Sequence, residues 1–301
     1  MSRGCTAELV EIIPVKNTLG EGVSWDPVAE LLWWTDIQER CLFRYDPRTG
    51  DLTRYQVPER LCSFGFVENS ERLIAAFESG FALYDPGSGR VDWIARPQHS
   101  AASVRFNDGR VDRQGRFWAG SMTEGRGVPR GKLYCLDGLE VRVELTNIGI
   151  SNSICFSPNG GQMYFADTPK REILCYEVDA VTGRLSCPRS FARLPPGAFP
   201  DGSNVDADGH LWNAQWSAGK VVCYAPDGRI STEIAVPASQ TTCIAFGGHQ
   251  LDLLFVSSAR EGLSSAALRG EPHAGDLFIY QLNVKGLADG RFRGAASRLG
   301  A

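Results

Sequence analysis

The feature that most constrains this chain is a repeat. Six segments share one pattern: an apolar run, a short polar break, and a second apolar run ending in Tyr or Leu. They begin at Leu31, Arg72, Arg116, Gln162, His210 and Asp252, spaced by 41, 44, 46, 48 and 42 residues. Four of them pass into a turn segment, DPRTG, DPGSG, DAVTG or APDG. Short runs rich in β-branched and aromatic side chains, bounded by such turns, read as strands. No window sustains a 3.6-residue apolar period, so long helices are excluded. A period of roughly 40–50 residues with several strands per unit is the signature of propeller blades.

The sequence therefore predicts an all-β fold, a six-bladed β-propeller with four-stranded antiparallel blades. Length alone, 301 residues, would suggest two domains. The repeat overrides that prior and predicts a single domain over residues 1–301. A propeller must close its ring, and LVEIIPV (Leu9 to Val15) precedes the first repeat as a strand. It is expected to complete the last blade beside DLFIYQLNV, with RFRGAASRL near the C terminus competing for that place. Pro14 suits an edge position because it lacks a ladder donor.

Composition narrows the function. With 43% hydrophobic and 22% charged residues the chain is ordinary globular protein, and 33 Gly and 16 Pro fit many turns. A net charge of −4, with the two signs interspersed, argues against nucleic acid, which needs a basic track. No apolar stretch approaches the roughly 18 residues of a spanning helix, and no apolar leader opens the chain. The nine cysteines are scattered, form no CxxC pair and mostly sit in apolar runs. They read as buried reduced thiols, which points to a cytoplasmic protein. A monomer is the default expectation.

A second short strand precedes each repeat, and these strands align. The polar residues Glu21, Ser63, Asn107, Asn152, Asp201 and Thr242 stand 10, 9, 9, 10, 9 and 10 residues before the following repeat. The first strand of a propeller blade faces the central channel, so six side chains at one repeat position should converge at one mouth. Two carboxylates brought together repel unless a cation sits between them. Oxygen donors suit a hard or borderline ion such as Ca2+, Mg2+ or Mn2+. The four histidines fall at no metal-like spacing. The bland alternatives are a ring that only orders channel water, a tight turn at Asn107-Asp108-Gly109, and a solvated surface charge at Arg105. No nucleophile elbow, phosphate loop, HExxH helix or EF-hand loop is present.

Four motifs, LGEGVSWD (19–26), RFNDGRVDRQGRFWAGSM (105–122), ISNSICFSPNG (150–160) and FPDGSNVDADGHLW (199–212), resemble the SMP-30/gluconolactonase/regucalcin-like family, collinearly over nearly the whole chain. The resemblance implies a six-bladed propeller holding one divalent cation, Ca2+, Mn2+, Mg2+, Zn2+ or Fe2+, on Glu21, Asn152 and Asp201. It further implies that Arg105 and Asn107 contact a small-molecule sugar lactone. Glu124, which follows the Gly-Ser-Met element, stands where some relatives carry a substrate-contacting acid.

The activity so implied is metal-dependent opening of an aldono-1,4- or 1,5-lactone to the aldonic acid. The cation would polarise the carbonyl, Asp201 would act as base, and Arg105 would steady the developing charge. Two other classes fit the same residues: a metal-dependent esterase or phosphotriesterase-like hydrolase, and a non-catalytic calcium-binding propeller. Ring size and stereochemistry of the substrate are expected to be read by the loops 96–104, 123–131 and 194–200.

Overall fold

A computed structural model describes residues 5–97, 103–125 and 127–294. The first strand is β1 (Ala7–Ile13). Blade 1 follows as β2 (Gly20–Asp26), β3 (Leu31–Asp36), β4 (Cys41–Asp46) and β5 (Asp51–Gln56). Blade 2 is β6 (Leu61–Phe66), β7 (Leu73–Phe77), β8 (Gly80–Tyr84) and β9 (Val91–Ala95). Blade 3 is β10 (Val104–Val111), β11 (Phe117–Thr123), β12 (Gly131–Asp137) and β13 (Glu140–Ile148). Blade 4 is β14 (Ser151–Phe156), β15 (Gln162–Asp167), β16 (Glu172–Val178) and β17 (Leu185–Arg193). Blade 5 is β18 (Phe199–Val205), β19 (Leu211–Trp216), β20 (Lys220–Tyr224) and β21 (Ile230–Ala235). Blade 6 comprises β22 (Thr241–Gly247), β23 (Leu253–Ser258) and β24 (Leu277–Leu282).

Each blade is a four-stranded antiparallel sheet, and the six form the predicted propeller. Blade 6 is completed by β1, which pairs with β24 from Ala7 opposite Leu282 to Ile13 opposite Leu277. The closing strand thus begins two residues earlier than predicted and stops before Pro14, where the ladder would lack a donor. The C-terminal segment does not take that edge. Phe292 instead makes a parallel bridge with Val67 and is fully buried, while residues 295–301 lie outside the described residues.

The inner three strands of each blade are largely buried because both faces of a blade are covered by its neighbours, whereas outermost strands such as β5 and β13 are largely exposed. Each of six apolar clusters lies mainly between two adjacent blades. Phe81 of blade 2, for example, packs edge-on against Phe106, Phe117 and Tyr134 of blade 3. Adjacent Trp33 and Trp34 point to opposite faces, as strand alternation requires. Trp33 stacks on Tyr55 in the cluster shared with blade 2, and Trp34 on Phe43 in the cluster shared with blade 6. Burying such a side chain is worth about 1.5–3 kcal/mol, so the interfaces between blades, rather than the blades alone, hold the ring together.

All nine cysteines are free thiols, seven of them buried; Cys187 on β17 is exposed, against the sequence expectation. Among the described residues no helix is long and apolar enough to cross a membrane.

Candidate active site

All six inner strands (β2, β6, β10, β14, β18 and β22) break register with their neighbour near the start of the strand. Such bulges insert an extra residue and re-aim side chains. Their backbones demand unusual conformations: Gly22 lies at φ 60° and Ser153 at φ 61°. Glycine is the ordinary occupant of that region. Ser153 is held in it by its hydroxyl, which donates to the Asp201 carbonyl at 2.7 Å. Gly202 is small for a different reason, since a Cβ there would stand 2.8 Å from Cys243 Cα on the next inner strand.

At this mouth of the channel the bulges open a cavity of about 230 Å³. Its buried polar side chains are Glu21, Arg105, Asn107, Asn152, Thr168 and Asp201. Leu19, Met122, Ile150 and Trp216 add apolar wall, and the half-buried Glu261 completes the rim. One hydrogen-bond chain ties most of the polar residues. Arg105 Nη1 donates to Asn107 Oδ1 (2.8 Å), and Asn107 Nδ2 donates to Asn152 Oδ1 (3.0 Å). Asn152 Nδ2 then donates to Thr168 Oγ1 (2.8 Å), which donates to the carbonyl of Pro200 (2.8 Å), next to Asp201.

The electrostatics are those of crowded acids. Burial, and then the nearby Asp108 carboxylate, push Glu21 up to about 8. Burial, followed by Glu21 and Asp108, holds Asp201 well above the usual carboxylate range. Asp201 Oδ1 is buried with no hydrogen-bond partner, which is costly for a carboxylate oxygen unless something positive meets it. Among the described residues no three His, Cys, Asp or Glu side chains gather into a metal-binding group. The candidate set here is two carboxylates and an amide. All three donors are oxygen, and the orphaned Oδ1 together with the mutual repulsion fits a hard divalent cation.

Five of the six sequence-named site residues, Glu21, Arg105, Asn107, Asn152 and Asp201, line this one cavity. Glu124 does not line the cavity. It pairs with Arg105 Nε (3.0 Å) and with Arg60 Nη1 (2.7 Å) and Nη2 (3.1 Å). Burial pushes the Glu124 carboxyl up, but the two guanidiniums outweigh it and hold it below the usual range. Its carboxylate thus links the Arg105 and Arg60 guanidiniums.

The expected sixfold convergence is reduced to four. The Ser63 hydroxyl is buried against the Gly109 backbone, and Thr242 Oγ1 is spent on the Gly20 carbonyl and Ser257. Asn107-Asp108-Gly109 is not a tight turn but the bulge of β10. Asp108 turns inward there, accepts from the Ile154 amide at 2.8 Å and adds its charge to the site. Arg105 is only 4% exposed, so it is no solvated surface charge.

Among the described residues, none from the loops 96–104, 123–131 or 194–200 lines the cavity; residues 98–102 and Arg126 lie outside the described residues. Thr168, Trp216 and Glu261 were not legible from the repeat, since they lie at or just past the ends of second strands rather than at the aligned first-strand position.

Fold and cavity together define a six-bladed propeller with an acidic, oxygen-lined pocket at one mouth of its channel. The profile described as "SMP-30/Gluconolactonase/LRE-like region" matches residues 19–260, and the chain belongs to that family. It is 41% identical to an L-arabinolactonase of Azospirillum brasilense over 93% of each chain. It is 36% identical to a 6-deoxy-6-sulfogluconolactonase of Pseudomonas putida, over 94% of this chain and 98% of that one. Its fold superposes with a TM-score of 0.90 on the crystal structure of a calcium-binding regucalcin from Agrobacterium tumefaciens, 32% identical, covering 95% of this chain and 98% of that one.

Proposed function

We propose that the chain is a divalent-metal-dependent lactonase that opens a monosaccharide lactone, an aldono-1,4- or 1,5-lactone, to its aldonic acid. The observation that carries this reading is the unpartnered Asp201 Oδ1, buried in the same cavity as Glu21, Asn152 and the Arg105–Asn107 pair. A cavity of about 230 Å³ is small for a ligand site and suits one sugar ring. The lactonase relatives support the reaction class.

Glu21, Asn152 and Asp201 would hold the cation, which when bound supplies Lewis acidity towards the lactone carbonyl. Asp201 takes the proton of the attacking water as the water oxygen bonds to the carbonyl carbon, and returns it to the ring oxygen as the acyl C–O bond of the ring breaks. Arg105, locked by Glu124 and Asn107, stabilises negative charge as the ring carbonyl becomes tetrahedral. The Asn107–Asn152–Thr168 chain fixes which amide oxygen faces the pocket, and Trp216 with Met122 limits water at the rim. The free thiols support a reducing, cytoplasmic setting.

The test is proton release from a panel of aldonolactones by protein stripped with EDTA and reloaded with single divalent metals. Turnover is expected only after reloading, and Asp201→Ala is expected to lower it by orders of magnitude while the far-ultraviolet spectrum of the fold is kept. Metal binding without turnover of any lactone would favour a binding propeller, and turnover of aryl esters or phosphotriesters instead would favour the esterase class.

A further inference from the structure

Glu261 stands outside every motif that marks the site, yet it lines the cavity and is built into place. It follows β23 in a loop whose backbone is clamped on both sides. The Glu261 amide donates to the Thr18 carbonyl at 2.9 Å, and Gln240 Nε2 donates to the Glu261 carbonyl at 3.0 Å. Alongside, Leu19 and Ala259 form an antiparallel bridge that joins the entry of blade 1 to blade 6. The carboxylate itself is oriented by Gln38, whose Nε2 donates to Oε1 at 2.5 Å. It lies within electrostatic reach of Glu21.

The charge arithmetic of the cavity gives this residue a consequence. The charged side chains that line it are Glu21, Asp201, Glu261 and Arg105. Glu21 and Asp201 belong to the candidate cation site. Arg105, fixed by Glu124 at Nε and by Phe106 and Asn107 at Nη1, is the charge assigned above to the reacting carbonyl. The remaining rim residues Met122, Ile150 and Trp216 carry no charge. A negative substituent on the substrate would therefore meet a fixed carboxylate at the rim, whereas a hydroxyl can donate to it.

Resting on the lactonase reading above, we propose that Glu261 is a specificity-determining residue that restricts the substrate to uncharged sugar lactones and turns away those bearing an anionic group. Like charges held several ångströms apart in a partly desolvated pocket discriminate by on the order of tenfold or more.

The experiment compares two substrates on metal-loaded wild type, Glu261→Gln and Glu261→Lys. One is the aldono-1,4-lactone that wild type turns over fastest. The other is the corresponding aldaro-1,4-lactone, in which a terminal carboxylate replaces the hydroxymethyl group. The quantity read is the ratio of kcat/KM for the neutral over the anionic lactone. Wild type is expected to favour the neutral lactone by roughly tenfold or more, Glu261→Gln to narrow that ratio, and Glu261→Lys to narrow it further or invert it. Equal use of both lactones by wild type, or a ratio unmoved by both substitutions, would overturn the proposal. No turnover of any aldonolactone by wild type would overturn the lactonase reading itself, so the two failures are told apart.

Discussion

At the scale of single residues, the site is defined by what its buried carboxylates lack. Glu21 and Asp201 are each about 5–6% exposed, and the ordinary compensation for such groups, a paired cation or a full set of donors, is incomplete. This has a pH signature in metal-free protein. Folded Glu21 titrates at about 8, whereas an unfolded Glu titrates at about 4.3. Between those values the folded chain keeps a proton that the unfolded chain has released, so this group's contribution to stability is lost as pH rises through about 8. Glu21→Gln removes that loss. In chelator, the variant's melting temperature is expected to gain on wild type between about pH 5 and about pH 9, and saturating divalent cation should reverse the order. An unchanged difference across that range would show that the carboxylate is not destabilised by its surroundings.

At the scale of elements, the devices that shape the blades recur where the sequence repeats them. Asp112 accepts from the Gln114 and Arg116 amides and from Trp118 Nε1; Asp206 accepts from the Asp208 and His210 amides and from Trp212 Nε1. Each Asp thus ties the turn between the first two strands to a Trp six residues on, and both Trp rings are fully buried. Removing the carboxylate leaves buried donors unmet, at about 1–3 kcal/mol for each group. Asp206→Ala is expected to cost roughly 2–4 kcal/mol in urea unfolding, with the cation affinity of the distant mouth unchanged. A cost below about 0.5 kcal/mol, the scale of an ordinary surface substitution, would show that water replaces the carboxylate there.

At the scale of the whole molecule, closure is the decisive contact. β24 would be an open edge without β1, and an unpaired edge both weakens the sheet and recruits other chains. The final stretch of the described chain adds a second tie across the opposite face. Ala207 donates to the Lys285 carbonyl, Phe292 exchanges hydrogen bonds with blade 2 through Phe66 and Glu68, and Arg293 donates to the Gly115 carbonyl. Arg110, buried below the site, ion-pairs with Asp289 of the same stretch. If the ring behaves as one domain, it melts in a single transition. Deleting residues 1–13 is then expected to lower the melting temperature and make unfolding irreversible through aggregation, as followed by scanning calorimetry and light scattering. A truncated protein that melts reversibly at the wild-type temperature would show that β1 is dispensable for closure.

The blade count, the closing strand and the position of Glu21, Asn107, Asn152 and Asp201 were legible in the amino-acid order because they are periodic. Each repeat meets the same surroundings, so a residue type that departs from its counterparts stands out without coordinates. What the chain order could not supply was anything dependent on a local break in period or on neighbours from another blade. Strict strand alternation puts Asp108 on the face opposite Asn107, and only the bulge of β10 brings both inward. Glu124 pairs with Arg105 outside the cavity lining, and Arg60, from 64 residues earlier, shares its carboxylate. Glu261 reaches the rim because blade 6 returns beside blade 1, some 240 residues from Glu21 in the chain. The sequence by itself determined the architecture and the chemical type of the channel mouth, since hydrophobic period and residue identity are written locally. The tertiary structure alone decided how the acids couple and which side chains frame the pocket, because Coulomb energy and steric access depend on distance through space.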